Sequence, residues 1–223
     1  MSQTSTSGTT GTTPAPSPKA ILKELPPPRE TTRTGPRAIF QALDRNALYP
    51  YTIGEYFARL VWLIVQMTVF RFSGPKSYKF RAWLLRLFGA KIGHRVIVRS
   101  SVRIRHPWLL EMGDYACIGD NVEVYNLGPM AIGAHTTVSQ NCHLCAGTHD
   151  FKDPAFPLIR SAIRIGRGCW ICADSFVGPD VCIGDNVIVG ARSVVMKSCG
   201  PDVIVSGNPS RVLGPRPMDE PAA

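Results

Sequence analysis

From residue 90 onward an aliphatic side chain returns every six residues, and few folds can satisfy that rhythm. The positions are Ile92, Val98, Ile104 and Leu110, then, after a short slip, Ile118 and Val124, then Ile132, Val138 and Leu144. After an interruption the run continues through Ile165, Ile171, Val177, Ile183, Val189 and Val195. A glycine often follows directly, as at Gly93, Gly119, Gly133, Gly166, Gly178, Gly184 and Gly190. Two places before each aliphatic sits a small or apolar residue, such as Val96, Val122, Cys142, Cys169, Val187 or Ser193. An amphipathic helix needs spacings of three and four, which fail here, and the alternation of one strand does not persist so long. Each hexapeptide is therefore expected to be a short strand plus a corner. The aliphatic side chain points inward, the small residue fills the space beside it, and glycine relieves crowding at the turn. Repetition of such a unit marks a parallel β-helix, whose coils bury one another's faces. At three strands per coil, residues 90–212 make about five or six coils.

The chain upstream is of another kind. Residues 1–37 are rich in Thr, Ser, Pro and Gly and cannot bury enough apolar surface to offset their chain entropy, so a disordered extension is expected. Residues 38–89 form a helical segment. Ile53, Phe57, Leu60, Val61, Ile64, Thr68, Val69 and Phe72 recur at helical spacing, and Trp62, Leu63, Met67 and Phe70 leave the other side barely more polar. A helix apolar nearly all round is buried against something or lies in lipid. Arg59, Gln66 and Arg71 interrupt it, so it is expected to fall short of a spanning segment. After Ser73-Gly74-Pro75, a second helix over about 76–88 places Phe80, Trp83, Leu84, Leu87 and Phe88 on one face beside Lys76, Lys79, Arg81 and Arg86. Two readings stand: the helices cap the first coil, or they touch an anionic membrane surface. Gly89 closes the helical part, and residues 213–223 form a C-terminal tail.

Charge is divided the same way. Residues 1–91 carry 13 Lys/Arg against 4 Asp/Glu, while residues 92–223 carry 12 of each. A nucleic-acid binder would carry its excess on the folded core, so no nucleic-acid partner is expected. The opening residues, MSQTSTSGTTGTT, lack the basic and apolar regions of a secretory leader, and the seven cysteines are odd in number. Reduced thiols in a cytoplasmic protein are the expectation, with membrane association open. Cys142-His-Leu-Cys145 and Cys169-Trp-Ile-Cys172 are two C-x-x-C pairs that could hold zinc. The repeat explains them more simply, because each pair fills the small inward slot and the glycine slot, so the spacing of three follows from the period.

The period breaks once in its second half. Ala146 to Ala162, AGTHDFKDPAFPLIRSA, cannot be threaded as hexapeptides and is expected to bulge out as a loop, where sites are commonly built on a rigid scaffold. His149 sits near its start, and an imidazole has a pKa suited to taking a proton near neutrality.

Several stretches carry a family likeness. They include Leu84-Leu-Arg-Leu-Phe-Gly-Ala-Lys-Ile-Gly93, Ser139-Gln-Asn, Thr148-His-Asp, Asp153-Pro-Ala-Phe-Pro-Leu158, Phe176-Val-Gly-Pro, Val189-Gly-Ala-Arg-Ser-Val-Val195 and Gly207-Asn-Pro-Ser-Arg-Val212. Over about residues 45–215 the chain resembles the hexapeptide-repeat acyltransferases, and among them the colanic-acid and exopolysaccharide acetyltransferase branch. The resemblance implies a left-handed β-helix, an all-β fold contrary to the usual right-handed crossover preference. It implies an acetyl-CoA-dependent O-acetyltransferase acting on a sugar hydroxyl, with a homotrimer placing its sites between subunits and no metal.

Residue roles follow from that resemblance alone. His149 matches the general base. Asp150 either orients its imidazole or merely solvates the loop. Asn126, in Tyr125-Asn-Leu-Gly-Pro129, matches an acceptor-side Asn, although this stretch departs in length; otherwise it is a corner residue suited to left-handed φ. Trp170 resembles a position lining the pantetheine channel, or is an exposed aromatic at a subunit contact. Ala173 and Ala191 resemble small residues whose backbone amides contact coenzyme A, and Lys197 and Arg211 match phosphate contacts. Three other outcomes stay open: an acceptor such as an amino sugar or xenobiotic, a β-helical metalloprotein of the carbonic anhydrase type, and a non-catalytic scaffold.

Overall fold

The computed structural model describes residues 41–45 and 51–217, so the expected disordered extension 1–37 and the tail beyond Arg216-Pro217 lie outside the described residues. Helix α1 (Ile53–Val65) starts at a reciprocal cap: Thr52 Oγ1 accepts from the Glu55 amide while the Glu55 carboxylate accepts from the Thr52 amide. It runs on through a π-helical turn, Gln66–Phe70. Helix α2 (Tyr78–Leu87) follows the Ser-Gly-Pro breaker and stops at Gly89, whose φ of 86° supplies the left-handed residue that ends a helix.

The rest is a left-handed parallel β-helix. Its first coil is β1 (Lys91–Ile92), β2 (Ile97–Val98) and β3 (Arg103–Ile104); its second, β4 (Leu110–Met112), β5 (Cys117–Ile118) and β6 (Glu123–Tyr125). The third is β7 (Met130–Ile132), β8 (Thr137–Val138) and β9 (His143–Cys145). An antiparallel hairpin, β10 (Gly147–His149) and β11 (Leu158–Arg160), stands out before the fourth coil, β12 (Ile163–Ile165), β13 (Trp170–Ile171) and β14 (Phe176–Val177). The fifth is β15 (Cys182–Ile183), β16 (Ile188–Val189) and β17 (Val194–Val195). A last strand, β18 (Val203–Gly207), adds to the second face and folds back as β19 (Ser210–Pro215), three residues past the expected end of the domain.

Strands stack in register into three faces, Ile92 on Met112 on Ile132 along the first. Inward aliphatics such as Ile104, Ile118, Leu144, Ile171 and Val189 are fully buried. Burying each contributes about 1.5–3 kcal/mol, and the small slots beside them, Cys142 and Cys169 among them, are buried as expected. The glycine after each aliphatic is there for close approach. A Cβ on Gly133 would lie 2.5 Å from the Gly166 backbone of the next coil. The left-handed backbone comes two places later, at residues such as Asn121, Asn141, Asp174, Asp180 and Asn186, whose short polar side chains tolerate it.

One register assignment is corrected. In the second coil's first strand it is Met112, aligned with Ile92 and Ile132, that holds the repeating aliphatic slot, and Leu110, aligned with Met130, fills the inward slot two places before it. Both are buried, as alternate residues of β4, because two extra residues enter the corner between β3 and β4 and form the short turn Pro107–Leu109. The corner between β6 and β7 is widened in the same way, and the hairpin occupies the equivalent corner of the third coil.

The helices close the open end of this prism, side by side with its first coil. Every face of a β-helix ends in a strand with unpaired backbone groups, which must find partners or water. Here side chains from the helices serve all three. Arg86 donates to the Ile92 and Gly93 carbonyls of the first face. Arg81 donates to the Val98 carbonyl of the second. On the third, Trp62 donates to the Ile104 carbonyl and Gln66 accepts from the Ile104 amide. Arg81 is wholly buried and finds its remaining acceptors at Ser73 Oγ and the Gly74 and Pro75 carbonyls; burial pulls its pKa down.

Candidate active site

The hairpin rests on the widened corner beneath it. Ala146 donates to the Tyr125 carbonyl, Ser161 donates to the Ala146 carbonyl, and Gly147 lies so close to Leu127 that a Cβ would come within 2.7 Å of its side chain. Asn126 bolts that platform to the corner of the coil before. Its Oδ1 accepts from the Arg105 and His106 amides, its Nδ2 donates to the His106 carbonyl, and its own carbonyl pairs with His106 Nδ1 at 2.9 Å. Asn126 is fully buried. It is a corner residue as one reading had it, but it is not among the residues with positive φ; hydrogen bonding, not left-handed backbone, selects it.

His149 ends β10. Its Nδ1 lies 2.8 Å from the Phe156 carbonyl, and its ring stacks on the Phe156 ring at 4.4 Å between centroids and 6° between planes. A carbonyl can only accept, so Nδ1 carries the hydrogen, and in the neutral ring Nε2 holds the lone pair. Phe156 itself has φ 50°, unusual for a bulky residue. The surrounding turn over-determines it: Phe156 donates to the Asp153 carbonyl, Ala155 donates to Asp153 Oδ1, and Asp150 donates to the Pro157 carbonyl. Such strain persists where neighbours enforce it, and functional sites are where it collects.

Asp150 is the loop's own brace. Its Oδ1 accepts from the Lys152 amide at 2.9 Å, and the group that aligns the imidazole is the Phe156 carbonyl. The sequence offered no side-chain signal for that backbone acceptor seven residues on. Nor did it signal the outer tie of the hairpin, where Arg160 meets Glu55 of α1 at 3.0 Å and lies over the Tyr51 ring at 4.2 Å. The Thr52 amide, then Arg160, hold the Glu55 carboxyl below its usual pKa.

The remaining candidates gather elsewhere. Trp170 lies outward on β13, half exposed, its Nε1 donating to Ser139 Oγ at 3.0 Å. Ala173 and Ala191 occupy the same corner of successive coils, between the second and third faces, linked by the Arg192 amide donating to the Ala173 carbonyl. Neither alanine's own N–H has a partner among the described residues. Lys197 follows β17 and Arg211 lies on β19; both are exposed and neither is ion-paired among the described residues. The structure thus sets His149 at one corner of the prism and the two free amides at another. A broad groove along the first face, lined by Trp108, Glu111, Ala131 and Arg164, does not include His149.

The paired C-x-x-C motifs lie on adjacent coils, the third and the fourth. Cys142 Sγ lies 3.0 Å from the Cys172 carbonyl and Cys169 Sγ 3.0 Å from the Gly184 carbonyl, both inside the coils. Burial pushes the Cys142 thiol up to about 11, away from the thiolate a metal would need. Among the described residues no three His, Cys, Asp or Glu side chains come together as a metal site requires.

Residues 162–197 match the bacterial transferase hexapeptide (six repeats) family model. The chain is 49% identical over 156 residues to the "Putative colanic acid biosynthesis acetyltransferase WcaF" of Escherichia coli (strain K12); the match covers 70% of this chain and 86% of that one. It is 26% identical to the galactoside O-acetyltransferase of the same organism, over 66% of this chain and 74% of the relative. Among solved structures, a hexapeptide-repeat acetyltransferase from Vibrio cholerae O1 biovar eltor, complexed with acetyl coenzyme A, superposes with a TM-score of 0.69. That pair is 23% identical and covers 79% of this chain and 96% of the other. By descent and by fold, the chain belongs to the hexapeptide-repeat acetyltransferases.

Proposed function

We propose that this chain takes the acetyl group of acetyl coenzyme A and passes it to a sugar hydroxyl of an exopolysaccharide or its precursor, with His149 as the general base. The observation that carries this reading is the Nδ1 contact with the Phe156 carbonyl, which leaves Nε2 as the basic nitrogen of a fixed imidazole. Nε2 takes the hydroxyl proton as the oxygen attacks the thioester carbon. The tetrahedral intermediate collapses, the carbon–sulfur bond breaks, and the proton passes from Nε2 to the leaving thiolate. The products are an acetyl ester and free coenzyme A. The likeness to relatives named for colanic acid biosynthesis and galactoside O-acetylation supports a sugar acceptor.

The coenzyme lies along the corner of Trp170, Ala173 and Ala191, whose free amides bind its amide-rich arm, while Lys197 and Arg211 meet its phosphates. In this reading Asp150 braces the loop and Asn126 supports the platform below it. One chain presents His149 and the alanine amides at different corners, so two copies must meet to form one complete site. A homotrimer, with three such grooves, satisfies that requirement. The chain works in the cytoplasm, where acetyl coenzyme A is made.

The test is coenzyme A release in the presence of acetyl coenzyme A and a panel of sugar acceptors, alongside calorimetric titration of the coenzyme. His149→Ala is expected to keep coenzyme binding and lower turnover by about 10²–10⁴. Full turnover in that variant removes His149 as the base; absence of coenzyme binding in the parent chain removes the reaction.

A further inference from the structure

The helices at the closed end of the prism use only one side each to close it. On α1 and its π-turn the buried residues are Trp62 and Phe70. Directly opposite runs a seam spaced by four, three, four and three: Ile53, Phe57, Leu60, Ile64 and Met67, between 55% and 90% exposed. On α2 the buried side is Arg81, Ala82, Leu84 and Leu85, and Phe80, Trp83 and Leu87 stand outward, with the Phe80 and Trp83 rings stacked. Both helices lay their inner sides on the first coil, so both apolar seams look away from it at the same end of the molecule. A monomer surface rarely leaves so much contiguous apolar area uncovered without a partner for it.

Charge decides which partner fits. Of the seven Lys and Arg in residues 53–91, Arg81 is buried, Arg86 is bonded to first-coil carbonyls and Lys91 is paired with Glu111, while the single acid of the stretch, Glu55, is taken up by Arg160. Arg71, Lys76 and Lys79, at the link between the helices, are exposed and have no acidic partner among the described residues. A second copy docking seam to seam would set these cations against one another. An anionic lipid surface would accept both parts, taking the apolar seams at the level of the acyl chains and the cations at the headgroups. Trp83, amphipathic and half exposed, suits the boundary between them.

We infer that the outward seams of α1 and α2 form a docking surface for an anionic lipid bilayer, on which the protein rests without crossing it. The stretch Ile53–Phe70 is long and apolar enough to cross, at 18 residues and a mean hydropathy of 1.3. Its inner side excludes that: Trp62 and Gln66 are fastened to Ile104 and Phe70 is packed in the core, so the helix cannot enter a bilayer end-on without leaving the prism. The surface does not depend on the acceptor or on the role of His149.

Cosedimentation of the full chain with vesicles tests this. Binding to phosphatidylcholine vesicles containing phosphatidylglycerol is expected, weakening at least tenfold as salt is raised and on pure phosphatidylcholine. Leu60→Glu with Ile64→Glu, and separately Lys76→Glu with Lys79→Glu, are each expected to weaken it at least tenfold, with circular dichroism unchanged. The salt series on the parent chain stands by itself if a variant fails to fold. Equal binding to neutral vesicles, no binding to either, or a changed oligomer mass in the Leu60/Ile64 variant without a change in vesicle binding would each overturn the proposal.

Discussion

The coils and the hairpin solve the same problem, holding a side chain still, by opposite means. In the coils a residue's place is set by its position in the period and enforced by like residues above and below: Leu144 stacks beside Val124 and Val177 and is fully buried. In the hairpin no residue repeats. Residues 147–160 are half-buried or exposed, and His149 is held by one carbonyl, one ring and a turn whose key residue has φ 50°. Packing fixes the first region and directional hydrogen bonds fix the second. The coils rest on many like contacts, and the hairpin rests on a few contacts that can be removed singly.

The comparison breaks first at its strong side. Leu144→Ala should leave a cavity between coils that stacked neighbours cannot collapse to fill, at a cost of about 2–5 kcal/mol. The denaturant midpoint measures it, and a loss under 1 kcal/mol would mean that the coils are looser than their burial implies. Turnover per folded molecule should hardly change, because Leu144 is buried in the coils, where its strand partners are Val124 and Val177.

Phe156→Ala reverses the pattern. It removes the ring under His149 and keeps the carbonyl, so the imidazole gains freedom to swing while the coils are untouched. The expected result is a kcat about tenfold lower, close to 1.4 kcal/mol of barrier, with an unchanged unfolding midpoint. An unchanged kcat would assign the alignment of His149 to the carbonyl alone.

What the sequence made legible follows the same division. The period announced the β-helix, the inward aliphatics and the place where the hairpin leaves, because each rests on repetition. It misplaced Leu110 for Met112, since alternate residues of a strand face the same way and a two-residue insertion at a corner leaves two apolar candidates. It singled out His149 through the break in the repeat, but not the Phe156 carbonyl beside its Nδ1, since a backbone acceptor has no side-chain signature. For Asn126 it gave the residue without its work, which depends on two widened corners lying one above the other. The helices were legible as apolar on nearly every side, and the choice between cap and lipid was posed as exclusive; the inner stripes form the cap and the outer ones remain uncovered.

Acidification should act on the widened corner through His106 and on the third coil through His143. His106 is buried against Asn126 and Trp108, and burial first, with Arg59 and Arg160 adding to it, holds its pKa below 6.5. The unfolded chain therefore takes up a proton as pH falls below 6.5 while the folded chain resists. Stability from this source is complete above 6.5 and is lost as pH falls toward the lowered folded value. His143, also lowered chiefly by burial, adds in the same direction. Denaturant midpoints at pH 7.5 and 5 should differ in that sense, and His106→Gln should flatten the difference. An unchanged slope in the variant would move the effect to other groups.

The smallest effect expected lies where the two regions are joined. Glu55 and Arg160 are each about one-third exposed, so their pair is worth about 0–1 kcal/mol in water. Arg160→Ala should barely shift the unfolding midpoint. Its consequence is local, because Arg160 pairs with Gly147 across the hairpin and ties that hairpin to α1. Hydrogen exchange at the Asp150 and Ser161 amides, which donate across the hairpin to the Pro157 and Ala146 carbonyls, should quicken by no more than about fivefold, the equivalent of 1 kcal/mol, while amides in β13 and β16 keep their protection. A double-mutant cycle with Glu55→Gln isolates the pair. Exchange that quickened throughout the coils as well would mean that hairpin and prism open together, and the division between packed scaffold and hydrogen-bonded site would have to be given up.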